Sequence, residues 1–341
     1  LNWSLDTRAS RNSASYRLRP LVIGDRVFSI DTNGRVTCVD LANGRKLWKF
    51  DTDLTPIAGL SGNEQIFIAT SQDGDIVAYQ EDDEELVKLW GTRIDSEIRS
   101  PPVVDGEQVF VRSVDGRLRS LAVADGAEQW VVSRSVPRLS LTGNSQPLVA
   151  GPLVFAGFDD GKLIAYERDS GQIRWESTIA SPSGRTDIER LVDVDGRFVL
   201  GDGVIYVASF QGRLAALQAT NGELLWSREF SSYQPIAMDD DALYLSADDS
   251  HLWAIDRRTG SAFWKQEVLH ARRITAPAII GDNLVVADLD GYQHWFSRGD
   301  GTLLSRIRTS YTRNYVQPIT WKDTVLTFDR LGLLASVSVR Q

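Results

Sequence analysis

The chain has 341 residues, 42% of them hydrophobic and 24% charged, which is an ordinary composition for a globular protein. No stretch approaches the 18 or more consecutive apolar residues of a transmembrane helix, so the composition argues against a helical membrane protein. The 46 acidic residues outnumber the 37 basic ones, and the net charge of -9 argues against nucleic acid as the main partner, because phosphate binding requires a basic surface.

The first forty residues contain two features that bear on compartment and chemistry. The chain begins Leu1-Asn2-Trp3 without an initiator Met or a signal peptide, so we expect a mature or trimmed form that has lost any targeting signal and any N-terminal lipid site. The only cysteine, Cys38, lies in the run Val36-Thr37-Cys38-Val39, which is typical of a strand interior. We therefore expect Cys38 to be a buried structural thiol.

A glycine followed four residues later by a tryptophan recurs along the chain. The copy with Trp90 follows an acidic insertion at residues 81–85, and Gly301 is followed by Ser305 where a tryptophan is expected. The eighth copy is split between residues 332–337 and Trp3, which is how a propeller closes its ring. The regular copies pair Gly44 with Trp48, Gly126 with Trp130, Gly171 with Trp175, Gly222 with Trp226, and Gly260 with Trp264.

Most copies also contain an Asp-Gly-type dipeptide between two alternating apolar segments. Such dipeptides predict tight hairpins of type I′ geometry, in which both central residues have positive φ. The flanking segments, such as 26–30 and 204–208, have strand length and are rich in β-branched or aromatic residues. The dipeptides are Asn33-Gly34, Asp73-Gly74, Asp115-Gly116, Asp160-Gly161, Gln211-Gly212 and Asp290-Gly291.

A repeat of about 42 residues with four short strands matches one blade of a propeller. The sequence therefore predicts an all-β fold, an eight-bladed β-propeller with four-stranded antiparallel blades, formed by residues 1–341 as a single domain and closed by its N- and C-terminal segments. We expect the repeated tryptophan on the outermost strand, where it docks against the neighbouring blade. This repeat resembles the tryptophan-docking repeat of the PQQ-like propeller superfamily.

Two neighbouring repeats are longer than the others. Trp130 and Trp175 are 45 residues apart, and Trp175 and Trp226 are 51 apart. The extra residues fall in 135–145 and 181–196, between the outer strand of one blade and the inner strand of the next. Both connections should therefore emerge on the same face of the disk, and two adjacent long loops on one face predict a docking site.

The side chains in these two loops allow two interpretations. Leu139 and Leu141 alternate with polar residues, and they could pack on a partner or fold back over the disk. Arg190, Asp193 and Asp195 could form ion pairs across an interface or remain as solvated turn charges. The residues alone leave both alternatives open.

Motifs for catalysis, metal binding and cofactor binding are missing from the sequence. The three histidines have no metal-ligand spacing, and no H-E-x-x-H, G-x-S-x-G or P-loop pattern occurs. Asp193 and Asp288 each begin a calcium-like run, but Arg197 and Tyr292 break the pattern of ligands. We therefore expect no metal, no cofactor and no enzymatic activity. The alternative is a PQQ-like quinoprotein enzyme or a small-molecule sensor that uses the central channel.

Three segments resemble one particular family within this superfamily. They are residues 139–147, beginning Leu-Ser-Leu-Thr-Gly; residues 186–195, Thr-Asp-Ile-Glu-Arg-Leu-Val-Asp-Val-Asp; and residues 269–273, Leu-His-Ala-Arg-Arg, together with 290–295. In this order they resemble segments of the BamB family, lipoproteins of the outer-membrane protein assembly (BAM) machinery. The resemblance implies a non-enzymatic scaffold that docks on the periplasmic POTRA domains of BamA and assists the folding and insertion of outer-membrane proteins.

The same resemblance implies contact residues and a location. Thr142 stands where the family has an Arg, which removes a charge-assisted contact. Further implied partners are other members of the BAM complex and nascent outer-membrane proteins. The implied location is the periplasmic face of the outer membrane, through a lipidated N-terminal cysteine that this chain lacks. The implied contacts to BamA are made by Leu139, Leu141, Thr142, Arg190, Asp193 and Asp195.

Overall fold

The computed structural model describes residues 1–8, 18–136, 145–180, 194, 198–210 and 212–338. These residues form 32 strands and contain no helix, and the strands are arranged in eight four-stranded antiparallel sheets. The predicted all-β, eight-bladed propeller is therefore confirmed, whereas the assignment of residues 1–341 to a single domain stays a prediction.

Seven blades are each built from four consecutive strands, which run from the inner to the outer side of the ring. Neighbouring strands within a blade are antiparallel. Blades 1 to 4 consist of β2 (Leu21–Ile23), β3 (Arg26–Ile30), β4 (Arg35–Asp40) and β5 (Lys46–Asp51); β6 (Ser61–Gly62), β7 (Phe67–Thr70), β8 (Asp75–Asp82) and β9 (Glu85–Arg93); β10 (Val103–Asp105), β11 (Gln108–Arg112), β12 (Arg117–Ala122) and β13 (Glu128–Ser133); and β14 (Leu148–Ala150), β15 (Leu153–Gly157), β16 (Lys162–Glu167) and β17 (Ile173–Thr178).

Blade 8 closes the ring with strands from both ends of the chain. Its outer strand is the first strand, which pairs with the last one in the register Trp3 to Ser336 and Asp6 to Leu333. Ring closure by the terminal segments is thus confirmed. Blades 5 to 8 consist of β18 (Val199–Gly201), β19 (Val204–Ala208), β20 (Gly212–Gln218) and β21 (Leu224–Phe230); β22 (Ala237–Met238), β23 (Ala242–Ser246), β24 (Leu252–Asp256) and β25 (Ala262–Gln266); β26 (Ala278–Ile280), β27 (Asn283–Ala287), β28 (Tyr292–Ser297) and β29 (Leu303–Arg308); and β30 (Ile319–Trp321), β31 (Thr324–Phe328), β32 (Leu333–Ser338) and β1 (Trp3–Asp6).

The hydrophobic core lies between neighbouring blades. The two middle strands of a blade are buried on both faces, as in β11 and β15, because each blade is covered by a neighbour on either side. The outer strands instead alternate between exposed and half-buried residues, as in β13 and β17. Cys38 on β4 is fully buried, as predicted, and burial raises the pKa of its thiol to about 12.

A tryptophan on the outer strand of one blade packs on a glycine in the next blade. The six glycines involved have φ between 69° and 73°, and a Cβ atom added to any of them would lie 2.4–2.8 Å from the tryptophan ring. The indole Nε1 also donates a hydrogen bond to a backbone carbonyl near the glycine, for example from Trp175 to Ala219 at 2.9 Å. The pairs are Trp3 with Gly44, Trp90 with Gly126, Trp130 with Gly171, Trp175 with Gly222, Trp226 with Gly260, and Trp264 with Gly301.

The two irregular copies of the repeat have structural explanations. In blade 2 the acidic insertion extends a hairpin, and Trp48 donates its indole N–H to the Glu81 carboxylate at 2.9 Å instead of to a carbonyl. In blade 8 the third and outer strands belong to opposite ends of the chain, so no turn joins them. Blade 8 therefore offers no glycine turn to the outer strand of blade 7. Ser305 lies on that strand, at the position where other blades have a tryptophan.

The prediction of type I′ turns at the Asp-Gly dipeptides is wrong. At five of the six dipeptides only the glycine has positive φ, for example 81° at Gly34, whereas Asn33 is absent from the positive-φ residues; in the sixth, Gly212 itself has no positive φ. Gly34 N–H donates to the carbonyl of Asp31, which is the pattern of a turn followed by a left-handed glycine. Two consecutive positive φ values occur instead at Asp83 and Glu84, in the acidic hairpin, and at Asp202 and Gly203, in the hairpin between β18 and β19.

We predict that Gly222→Ala destabilises the protein more than Gly203→Ala. Both glycines lie in turns of blade 5 with φ of 73° and 76°, so both substitutions carry the same backbone strain of about 1 kcal/mol. A Cβ at Gly203 meets nothing within 4 Å, whereas one at Gly222 lies 2.5 Å from the Trp175 ring, and overpacking adds about 1–3 kcal/mol. Urea unfolding of both variants measures the difference; equal losses would contradict a steric role of the tryptophan.

Candidate partner-binding face

We call the face of the disk that carries the connections between blades the loop face. Because strands within a blade are antiparallel, the connection from an outer strand to the next inner strand emerges beside the turn between the two middle strands. The two long connections join β13 to β14 and β17 to β18. Both therefore emerge on the loop face and flank blade 4, as the sequence predicts.

The six residues predicted to contact a partner lie outside the described residues, so their role stays a prediction. Some residues at the bases of the two loops are described, and they show how the loops are attached to the disk. The six predicted residues are Leu139, Leu141 and Thr142 in residues 137–144, and Arg190, Asp193 and Asp195 in residues 181–193 and 195–197.

Both long loops are anchored at a single glycine, Gly157, at the end of β15. The backbone N–H of Gly157 donates to Ser145 Oγ at 3.2 Å, at the base of the first loop. A Cβ atom on Gly157 would lie 2.5 Å from the carbonyl oxygen of Val194 in the second loop and 3.0 Å from Ser145 Oγ. Only glycine therefore allows both loops to approach this strand at once.

The anchor of the second loop is apolar. Val194 is fully buried, and Phe198 is 4% exposed. Both side chains belong to the core cluster between blades 4 and 5, together with Phe155 and Val207. Burial of two such side chains stabilises this attachment by about 3–6 kcal/mol relative to exposure.

Sequence reasoning missed Gly157, although the aligned repeats contain a signal for it. The last residue of the second strand carries a side chain in every other blade, whereas blade 4 has a glycine there. A glycine at a strand end without a turn indicates close approach by another backbone. The corresponding residues are Ile30, Thr70, Arg112, Ala208, Ser246, Ala287 and Phe328.

A buried ion pair joins blades 3 and 4. Arg112 at the end of β11 and Asp159 in the adjoining turn of blade 4 have side chains that are 2% and 7% exposed, with 3.6 Å between Nη2 and Oδ1. The Arg112 guanidinium also stacks on Phe158, 4.4 Å from the ring centroid. Arg134, at the start of the first loop, forms a second link to blade 4 through a 2.8 Å hydrogen bond to Glu176.

The third segment of the family resemblance forms a charged cluster on the loop face at blade 7. Fully buried Asp288 accepts hydrogen bonds from Arg272 at 2.7 Å and is 2.8 Å from Nε2 of buried His294. Burial alone would raise the pKa of Asp288, but hydrogen bonds from His294, the Tyr292 backbone and Arg272 lower it to about 2. The cluster fixes the connection that carries Arg272 to the turn of blade 7.

The channel side of the ring contains a cavity of about 280 Å³ near the inner strands of blades 6 to 8. It is lined mainly by aliphatic residues, including Met238, Ile279 and Ile319, and by Arg19 and Gln317. Within the part of the chain that the structure describes, no three His, Cys, Asp or Glu side chains are grouped to hold a metal ion. Among the same residues, no helix is long and apolar enough to span a membrane.

Residues 32–266 match the family model described as "Outer membrane protein assembly factor BamB". A protein of that name from Bordetella pertussis is 33% identical over 319 residues, which cover 93% of this chain and 82% of the relative. These two matches span most of the propeller, including both long loops.

Solved structures share the fold. The crystal structure of BamB from Moraxella catarrhalis matches with a TM-score of 0.88 and 22% identity, over 99% of this chain and 98% of that one. A quinohemoprotein alcohol dehydrogenase from Comamonas testosteroni matches with a TM-score of 0.80 and 13% identity, over 98% of this chain and 76% of that one. At these identities the structural matches establish the propeller and nothing further.

We predict that Gly157→Ala loosens both long loops together. The added Cβ must displace the backbone at Val194 and the side chain of Ser145, so amide hydrogen exchange should accelerate at both loop bases. Gly299→Ala is the matched control, because the nearest atom to its Cβ lies at 4.0 Å. Faster exchange at only one base, or at neither, would contradict the shared anchor.

We predict that Asp288→Asn lowers the free energy of unfolding by about 3 kcal/mol at neutral pH, because Arg272 and His294 lose a buried anionic partner. Since the pKa of Asp288 is lowered from 3.8 to about 2, its contribution is complete above pH 3.8 and disappears as pH falls through about 2. In urea unfolding across this acid range, the difference in free energy of unfolding between the variant and the wild type should become smaller as the pH falls. Asp290 is a half-exposed partner of the same arginine and provides the control: Asp290→Asn should lower the free energy of unfolding by less than about 1 kcal/mol.

Proposed function

The chain belongs to the family of the outer membrane protein assembly factor BamB, and on this premise we propose that it is a non-enzymatic scaffold of the outer-membrane β-barrel assembly complex. Its task is to assist the folding and insertion of outer-membrane proteins by holding other components in place. The observation that carries this proposal is the pair of long loops anchored side by side at Gly157 on one face of a rigid ring.

The partner that we propose for the loop face is the set of periplasmic POTRA domains of BamA. Leu139 and Leu141 supply apolar side chains for such a contact, and burial of apolar surface is the dominant favourable term in most protein–protein association. Arg190, Asp193 and Asp195 supply charges that set orientation and the rate of association.

Thr142 distinguishes this interface from that of the family. A threonine hydroxyl forms weaker hydrogen bonds than a guanidinium, so we propose that the apolar contacts and the acidic pair carry a larger share of the binding energy here. Arg134 does not substitute for the missing arginine, because Glu176 and Asp160 already engage its guanidinium.

We further propose a location and additional partners. The scaffold acts at the periplasmic face of the outer membrane, where a lipidated N-terminal cysteine of the full-length protein anchors it. Other members of the assembly complex and nascent outer-membrane proteins are its remaining partners. Cys38 does not serve as the lipid site, because it is fully buried inside blade 1.

The alternative, an enzyme or small-molecule sensor in the central channel, has weaker support. The quinohemoprotein enzyme shares the fold at 13% identity, whereas the relative from Bordetella pertussis, named an assembly factor, is 33% identical.

The test is a binding titration of the purified chain against the POTRA domains of BamA from the same organism. Simultaneous replacement of Leu139, Leu141, Asp193 and Asp195 by alanine should weaken binding by at least about tenfold, because the variant removes both the apolar anchors and the acidic pair.

A matched control replaces two exposed apolar and two exposed acidic residues away from the loop face, Val87, Leu89, Glu64 and Glu107, by alanine. This variant should bind like the wild type. Equal affinity of both variants would overturn the assignment of the interface to the two loops, and an absence of binding by the folded wild-type chain would overturn BamA as the partner.

A further inference from the structure

Two histidines face each other on the loop face between blades 6 and 7, away from the two long loops. His251 lies in the turn before β24, and His270 lies in the connection from β25 to β26. Nε2 of His251 and Nδ1 of His270 are 3.2 Å apart, and the ring centroids are 5.1 Å apart. The His251 side chain is 12% exposed, while His270 is exposed to solvent.

The backbone around this pair is held in an uncommon conformation. Ser250, Ala271 and Arg273 have φ of 70°, 60° and 50°, a region that residues other than glycine rarely adopt. Two hydrogen bonds join the segments, from Ala271 N–H to the Asp249 carbonyl at 3.1 Å and from Arg273 N–H to Ser250 Oγ at 2.8 Å. The two imidazoles are therefore set in place by the fold rather than by their own contact.

A carboxylate lies behind one of the two rings. Oδ2 of Asp249 is 2.7 Å from Nδ1 of His251, although the alignment is not that of a hydrogen bond. The other ring nitrogen of His251, Nε2, faces His270. The carboxylate therefore places a negative charge directly behind the imidazole that faces the second histidine.

We propose that His251 and His270 bind a divalent transition-metal ion such as Zn²⁺. Two nitrogens that each coordinate zinc at about 2.0–2.1 Å in a tetrahedral site lie about 3.3 Å apart, close to the observed 3.2 Å. Imidazole nitrogen favours Zn²⁺, Ni²⁺ and Cu²⁺ over Ca²⁺ and Mg²⁺, which prefer oxygen ligands. Water completes the coordination.

The charges around the pair favour a cation. Glu267 is exposed and paired with Lys265, whose hydrogen bond and charge lower the pKa of the Glu267 carboxyl, with a further contribution from the two histidines. Glu267 is therefore an anion beside the site, and Asp249 contributes a second negative charge. Cys38 does not compete for zinc, because burial raises the pKa of its thiol to about 12 and only the thiolate binds metal.

The experiment is calorimetric titration of the purified chain, without a histidine tag, with Zn²⁺ and separately with Ca²⁺. We expect saturable binding of one Zn²⁺ per chain and none of Ca²⁺. His251→Ala and His270→Ala should each abolish saturable zinc binding, and Asp249→Asn should weaken it while leaving both ligands in place, because it removes a negative charge beside the bound cation.

Lys265→Ala is the matched control, because it removes a neighbouring charge and leaves both imidazoles intact; its affinity for zinc should be equal to the wild type or higher. Thermal unfolding of each variant in the absence of metal verifies folding, and the exposed position of His270 makes its replacement the safer of the two. No saturable binding at millimolar Zn²⁺, or binding that survives His270→Ala, would show that the two rings form only a hydrogen-bonded pair.

Discussion

The contact between a tryptophan on one blade and a glycine on the next is the constraint on which the rest of the structure depends. It combines a large apolar ring, a hydrogen bond from the indole, and a backbone conformation that only glycine adopts without strain. The same contact recurs at six of the eight junctions between blades. Because most blades are fixed to their neighbour in this way, the shape of the ring depends little on the connections between blades.

The connections between blades can therefore differ in length. Most junctions use a short connection, and two neighbouring junctions carry long ones without disturbing the sheets they join. The attachment of these loops is nevertheless specific, because Ser145 and Val194 both contact the one strand end that has no side chain. Blade 4 therefore acts as the shared base of both loops.

The sequence predicts the repeated part of this protein well and its exceptions poorly. Five regular pairs of glycine and tryptophan, two altered copies and one copy split between the termini are enough to establish the blades, their number and the closure of the ring, since each position has a geometric cause. The turn type was mistaken because an Asp-Gly dipeptide fits both a two-residue turn and a longer turn ending in a left-handed glycine. Gly157 and the pair of His251 and His270 depend on contacts between segments far apart in the chain, which spacing along the sequence does not reveal.

The pairing of β1 with β32 also determines how the chain folds. The two strands are separated by more than 300 residues, so the outer edge of blade 8 forms only after almost the whole chain has been synthesised. Until then the hydrophobic faces of blades 1 and 8 lack their neighbour, and the entropy of closing so long a loop slows the last step. A partly made ring is therefore the species most exposed to aggregation.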